Sequence, residues 1–202
     1  MHRSLILASS SPYRRAQLEQ LRLPFECVSP HINEEALAGE SPADLARRLA
    51  AEKARAVATT RPEALIIGSD QVAECGGHTL GKPGSRERAF EQLKSCSGRR
   101  VTFHTGISLL DSGTDRQRTE VEVFTVHFRQ LSDAQIERYI ELDKPLDCAG
   151  SFKVEGLGIS LFEKMEGSDF NSLIGLPLIR LVDLLRESGV DPLCVISRPD
   201  GN

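Results

Sequence analysis

Apolar and polar positions along the chain fall into short blocks whose period switches between strand and helix. Leu5-Ile6-Leu7-Ala8 reads as a short buried strand and Ser9-Ser10-Ser11 as a polar turn. Pro12, after Ser11 as N-cap, opens a helix that the pattern carries to about Leu23, where Pro24 stops it. Phe25 to Ser29 predicts a second strand, followed by a polar loop through Pro30, Asn33, Glu34 and Glu35. Ser41-Pro42 repeats the cap-plus-proline start, and the helix continues to about Thr59. Ala64 to Gly68 is an unbroken apolar strand leading into Ser69-Asp70-Gln71, Gly76-Gly77 suggests a hairpin turn, and Gly81-Lys82-Pro83 a loop before a helix near Arg86 to Ser95. Val101 to Leu110 and Thr119 to Phe128 alternate as a long antiparallel pair. Ser132 to Gln135 spells a capping box for a helix ending before Pro145, and Gly158 to Phe162 fits a strand. From Pro177 a last helix carries Leu178, Leu181, Val182 and Leu185 on one face, with Gly189 as its stop. This order is mixed α/β with long hairpins, without repeats, linkers, a GxGxxG or a GxxxxGK[ST].

Composition narrows the class. The 202 residues suit one domain, and 40% hydrophobic residues with 16 glycines provide for a substantial core. The 25 basic and 29 acidic residues give a net charge of −4 with no basic block, so neither a nucleic-acid duplex nor an anionic membrane is an expected partner. No apolar run approaches the ~18 residues of a membrane span. The apolar core after Arg3 also falls short of the ~7–15 residues of a signal peptide. Five widely spaced cysteines without CxxC read as reduced thiols in a cytoplasmic protein. The histidines have no zinc-site spacing, so any metal is expected on carboxylates, as Mg²⁺ or Mn²⁺.

Five places carry candidate chemistry. Ser9-Ser10-Ser11-Pro12 sets hydroxyls and backbone N–H groups at a helix start, an anion site, and Arg14 follows on the face of Leu18 and Leu21. Lys53 falls inside the stripe of Leu45, Leu49, Ala56 and Val57, where an ammonium demands an anionic partner. If it serves a phosphate, an apolar replacement is expected to preserve or raise stability. Asp70 is expected at the C-terminal end of its strand, the edge where α/β proteins gather ligand chemistry. Glu34-Glu35 offers a metal or base, and Lys82 beside Gly81 a phosphate contact. Each has a plainer alternative: a capped helix with solvated arginines, a snorkelling lysine, a turn aspartate, a solvated loop, a simple turn. As a set they suit a triphosphate with a divalent ion.

The ordered series Leu5-Ile6-Leu7-Ala8-Ser9-Ser10-Ser11-Pro12-Tyr13-Arg14-Arg15, Glu34, the Lys53 helix, Ile67-Gly68-Ser69-Asp70-Gln71, Gly81-Lys82-Pro83, Ser97-Gly98 and Gly175-Leu176-Pro177 resembles the Maf family of nucleotide pyrophosphatases. The resemblance runs from Leu5 to about Leu185. It implies a single domain spanning 1–202. The fold it implies is α/β and inosine-triphosphate-pyrophosphatase-like, a twisted mixed sheet with two lobes around a cleft. It further implies metal-dependent cleavage between the α- and β-phosphates of a nucleoside triphosphate. Asp70 then corresponds to the proton acceptor, Ser9, Arg14, Lys53 and Lys82 to phosphate-binding residues, and Glu34 with Asp70 to metal-site residues. Tyr13, Gln71 and Glu155 occupy the positions that separate subgroups, where the pyrimidine-triphosphate subgroup usually carries Arg, Thr and Gln. Here they resemble the 7-methyl-GTP subgroup, as do Cys148-Ala149-Gly150-Ser151-Phe152-Lys153 and Phe170-Asn171-Ser172-Leu173, although that subgroup more often has tryptophan at the position of Tyr13.

The chemistry of the base agrees. N7-methylation makes guanine cationic and favours an aromatic face, and a carboxylate such as Glu155 accepts from guanine N1–H and N2–H₂, donors that uracil and thymine do not pair in this way. Two alternatives remain: a dTTP/UTP pyrophosphatase on the same scaffold, and a septum-formation regulator acting by partner binding. The oligomeric state is open, a homodimer included.

Overall fold

The computed structural model describes residues 3–194. Seven strands form one mixed sheet: β1 (Ser4–Ala8), β2 (Glu26–Cys27), β3 (Ala64–Cys75), β4 (His78–Leu80), β5 (Arg100–Asp111), β6 (Arg116–Phe128) and β7 (Phe162–Gly167). Their order is β2-β1-β3-β5-β6-β7, with β4 paired to β3. The β1–β2 and β1–β3 pairings are parallel and all others antiparallel. Six helices accompany the sheet: α1 (Pro12–Glu19), α2 (Pro42–Ala58), α3 (Arg86–Cys96), α4 (Asp133–Asp143), α5 (Phe170–Ile174) and α6 (Leu178–Glu187). Among the described residues no helix is long and apolar enough to cross a membrane.

The local signals explain most of these elements. Ser11, Ser41, Ser85 and Ser132 each accept a backbone N–H as N-caps, and Ser132 with Gln135 completes the capping box. Gly76 and Gly77 turn β3 into β4 with φ of 58° and 84°, a left-handed pair that favours glycine. One core, between β5, β6, α3 and α4, is organised by Phe103, Phe128, Phe152 and Phe162, whose edge-to-face contacts span 4.8–5.9 Å between centroids. A second packs α1 and α6 on the opposite end of the sheet through Leu7, Leu18, Leu181 and Leu185.

Four expectations are corrected. Asp70 does not end a strand: β3 continues to Cys75 because β5 pairs with it residue by residue from Leu65 to Cys75, which places Asp70 mid-strand opposite Gly106. The first helix stops at Glu19, before a turn in which Arg22 takes φ 53°, and the strand after it shrinks to Glu26–Cys27. The segment Leu157–Leu161 is a 3-10 turn, and the strand is Phe162–Gly167, whose charged alternation marks an exposed edge. Helix α5 was not expected: its five residues are too few to show a period, and it is fixed by Asp169, which caps Asn171 N at 2.9 Å and also holds Ile179 N at 2.8 Å.

Helix α2 lies unusually close to the sheet. A Cβ on Gly68 would sit 2.1 Å from the Ala50 carbonyl oxygen, and one on Gly106 would sit 2.1 Å from that of Ala46. Both atoms are backbone and cannot move aside without displacing the helix. Gly68→Ala is therefore expected to cost about 1–3 kcal/mol by overpacking. At about 2–4 °C per kcal/mol for a chain of this size, thermal melting would show a fall of several degrees. Gly81→Ala, which meets nothing within 4 Å, should melt like the parent. Equal melting of the two variants would refute the close-approach argument.

Candidate active site

A cleft of about 610 Å³ runs along the sheet beside β1, the centre of β3 and the loop after β4. Its lining includes all nine site residues expected from the sequence: Ser9, Tyr13, Arg14, Glu34, Lys53, Asp70, Gln71, Lys82 and Glu155. The volume is that of a ligand pocket for a small organic molecule.

The inner end is built by α2 and β3. Asp70 lies one strand period beyond Gly68, so it shares the face on which α2 packs, and Lys53 reaches it from that helix. Lys53 is only 5% exposed, and its ammonium sits 2.5 Å from Asp70 Oδ1 and 2.8 Å from Glu34 Oε1. The anionic partner demanded by the apolar stripe is thus a pair of carboxylates. Burial works to raise the Glu34 pKa, but the hydrogen bond and charge of Lys53, then Lys82 and Arg14, hold it below the ordinary carboxylate value. Burial draws the Arg14 guanidinium below its ordinary pKa, opposed by Asp70 and Glu34, and the group remains a cation. Its Nε donates to Gly175 O at 2.8 Å, leaving the Nη groups for a ligand. Ser9 is buried, and its Oγ accepts the Ser11 N–H at 3.1 Å, which shapes the turn at the start of α1. Lys82 is exposed on the cleft rim.

Gln71 points to the opposite face of β3. Its amide nitrogen donates to Ser172 O at 2.7 Å, Leu173 O at 3.1 Å and Thr105 Oγ1 at 3.2 Å, so it braces α5 and leaves its Oε1 as the group free for a ligand. Glu155 is exposed on a loop that lies against α4. Tyr139 Oη accepts the Lys153 N–H at 2.9 Å, and Gly156 and Gly158 donate to Lys153 O at 3.2 and 3.1 Å.

Several contributors were not legible as such in the sequence. Arg48 donates to both oxygens of Glu40 at 2.7 and 2.8 Å, to Glu52 at 3.1 Å and to the Glu35 carbonyl at 3.0 Å. These bonds clasp the loop that carries Glu34 against α2, and with the Leu37 N–H they hold the Glu40 carboxyl down at about 2. The i, i+4 spacing of Arg48 and Glu52 is the one local signal that the sequence offers for this clasp. At the cleft mouth Tyr13, on α1, meets Asp147, Cys148 and Lys153 from the α4–β7 connection. Tyr13 Oη and Lys153 Nζ each lie 3.5 Å from the Asp147 carboxylate. Burial, then the Asp147 charge, pushes the Cys148 thiol up to about 12.

Two carboxylates with oxygen donors do not make a closed protein cage, and among the described residues no group of three or more His, Cys, Asp or Glu could hold a metal. They do fit a hard divalent ion of the Mg²⁺ type, which is commonly held by one or two carboxylates and completed by substrate phosphates.

A family model described as Maf-like protein matches residues 4–188. The chain is 59% identical over 187 residues to a protein of Pseudomonas aeruginosa named 7-methyl-GTP pyrophosphatase, covering 93% of this chain and 97% of that one. It is 57% identical to a protein of the same name from Pseudoalteromonas atlantica, covering 93% and 96%. Among solved structures, a HAM1 protein from Coxiella burnetii superposes with a TM-score of 0.50 at 16% identity, covering 92% of this chain and 100% of that one. This likeness bears on the fold, which is of the Maf and inosine-triphosphate-pyrophosphatase type.

The Lys53 geometry reverses one expectation from the sequence. Lys53→Met would leave the buried Asp70 carboxylate without its counter-ion, so the variant should lose stability rather than gain it. Breaking a buried pair from one side costs about 3–5 kcal/mol. Lys53→Met/Asp70→Asn, which removes both charges, should recover most of the lost melting temperature. A double variant no more stable than the single one would show that the pair is not what holds Lys53 in place.

Proposed function

This chain belongs to the Maf family, and from that membership and its cleft we propose that it is a metal-dependent nucleoside triphosphate pyrophosphatase acting on 7-methyl-GTP. Water adds at the α-phosphorus, the bond to the α–β bridging oxygen breaks, and the products are 7-methyl-GMP and pyrophosphate. The observation that carries this reading is the gathering of all nine residues on one cleft in a chain 57–59% identical to proteins named for that reaction.

Arg14, Lys53, Lys82 and the Ser9 turn supply the positive charge and donors that a triphosphate requires. Asp70 has one carboxylate oxygen engaged by Lys53 and the other open to accept a proton from water. Glu34 and Asp70 are the residues that would hold the divalent ion, which when bound supplies charge neutralisation for the phosphates. At the mouth, Tyr13 offers a face to the cationic base and Glu155 an acceptor for its N1–H and N2–H₂. A cytoplasmic setting, where nucleotides are used, goes with this role.

The test is hydrolysis of 7-methyl-GTP, GTP, UTP and dTTP with Mg²⁺ or Mn²⁺, products separated by chromatography. The methylated purine should be preferred, with pyrophosphate rather than orthophosphate released. Asp70→Asn should remain folded and bind nucleotide while turning over about 10²–10⁴-fold more slowly. Release of orthophosphate, or an Asp70→Asn rate within threefold of the parent, would overturn the assignment.

Base choice has its own variant. Glu155→Gln replaces an acceptor by an amide donor facing a donor, an unsatisfied contact worth about 1–3 kcal/mol, or about 5- to 150-fold in kcat/KM. The preference for 7-methyl-GTP over UTP should fall accordingly. An unchanged ratio would remove Glu155 as the base reader and leave the pyrophosphatase reading intact.

A further inference from the structure

The charges of the cleft are sorted along its length. At the inner end three cations, Arg14, Lys53 and Lys82, stand with two carboxylates, Glu34 and Asp70. Around the mouth the balance inverts: Asp147 and Glu155 line the cleft, and the side chain of Lys153 faces Asp147. A nucleotide with an uncharged base matches only the inner end. One whose base carries a positive charge matches both.

Asp147 is the acid placed at the hydroxyl end of Tyr13. Its carboxylate is 61% exposed, and its side-chain contacts, Tyr13 Oη, Lys153 Nζ and the Cys148 thiol, each lie 3.5 Å away. Charge-assisted hydrogen bonds to a carboxylate normally close to about 2.5–2.9 Å. The carboxylate holds a backbone N–H and a thiol but no closely bound cation, so a better-placed cation can take it over. Burial acts to raise its pKa, but the backbone N–H and the charge of Lys153 hold it below the ordinary value, so it is ionised at neutral pH. Lys153 is in turn anchored by its backbone to Tyr139 on α4, which ties it to the phenylalanine core.

We infer that Asp147 is a specificity-determining residue, supplying the counter-charge that selects a cationic, N7-alkylated purine against Tyr13 over the neutral purine of the same shape. The inference rests on the proposed nucleotide pyrophosphatase reading for its substrate, and it adds a determinant separate from hydrogen bonding by Glu155. GTP and 7-methyl-GTP both offer N1–H and N2–H₂ donors, so Glu155 serves both, whereas ring charge distinguishes them. Lys153 opposes the selection, because its ammonium competes for the same carboxylate.

The experiment compares parent, Asp147→Asn and Lys153→Met in two measurements. The first is the ratio of kcat/KM for 7-methyl-GTP over GTP, with UTP as a neutral pyrimidine control. The second is the ratio of dissociation constants for GMP over 7-methyl-GMP by titration calorimetry, which requires no turnover. Asp147→Asn should lower both ratios about fivefold, the effect of losing one solvent-accessible charge pair. Lys153→Met should raise them. Ratios in Asp147→Asn equal to those of the parent, or an equal loss on all three triphosphates, would overturn the inference. A parent that fails to release pyrophosphate would instead overturn the proposed reaction, and the monophosphate titration would still decide the role of Asp147.

Discussion

The close approach of α2 to the centre of the sheet is the constraint on which the site depends. Two glycines, Gly68 on β3 and Gly106 on the neighbouring β5, remove the Cβ atoms that would hold the helix away. The backbone of α2 then passes low enough for Lys53 to reach Asp70 from inside the core. A longer helix–sheet separation would leave Asp70 as a buried carboxylate without its partner and Lys53 with Glu34 alone. An unpaired carboxylate is costly in a low-dielectric interior. Sheet, helix and site therefore form one unit, in which packing distance sets electrostatics.

The same unit explains how the cleft is kept polar. Lys53 neutralises Asp70 and Glu34 only in part, because two carboxylates share one ammonium. Arg14 is fixed by Gly175, whose φ of 128° turns its carbonyl toward both Arg14 and the Ser69 hydroxyl. Ser69, next to Asp70 but on the opposite face, thus ties the strand to the loop that orients the arginine. Adjacent residues of one strand serve two faces of the sheet, as the alternation of side chains requires.

Much of this was legible in the sequence because the chemistry contradicted the pattern. A lysine inside an apolar helical stripe required an acid, and serines followed by proline marked two of the helix starts. What was hidden depended on pairing between distant segments. The length of β3 is set by β5, whose eleven paired positions carry the strand past Gly68 through Asp70, and no local signal reports that. Helix α5 is held by one aspartate capping two segments. Beyond its spacing to Glu52, Arg48 carried no signal in the sequence, and only the folded chain shows it gripping the Glu34 loop. The mouth cluster joins residues more than 130 positions apart in sequence, Tyr13 and Asp147.

That last separation has a physical meaning. Tyr13 belongs to the element packed with α6 on one core, whereas Asp147 and Lys153 are tied to the phenylalanine core at the other end of the sheet. A ligand lying along the cleft touches both. In the proposed reading its phosphates face β3, α2 and the α1 turn, and its base faces side chains anchored to separate hydrophobic clusters. Binding of such a ligand would couple the two cores at a place where the protein's own contacts are 3.5 Å long. The loose mouth and the tight inner ion pair are thus complementary. The inner end is preorganised because its charges are buried and cannot be left unpaired, while the outer end is open to solvent and can wait for the base that completes it.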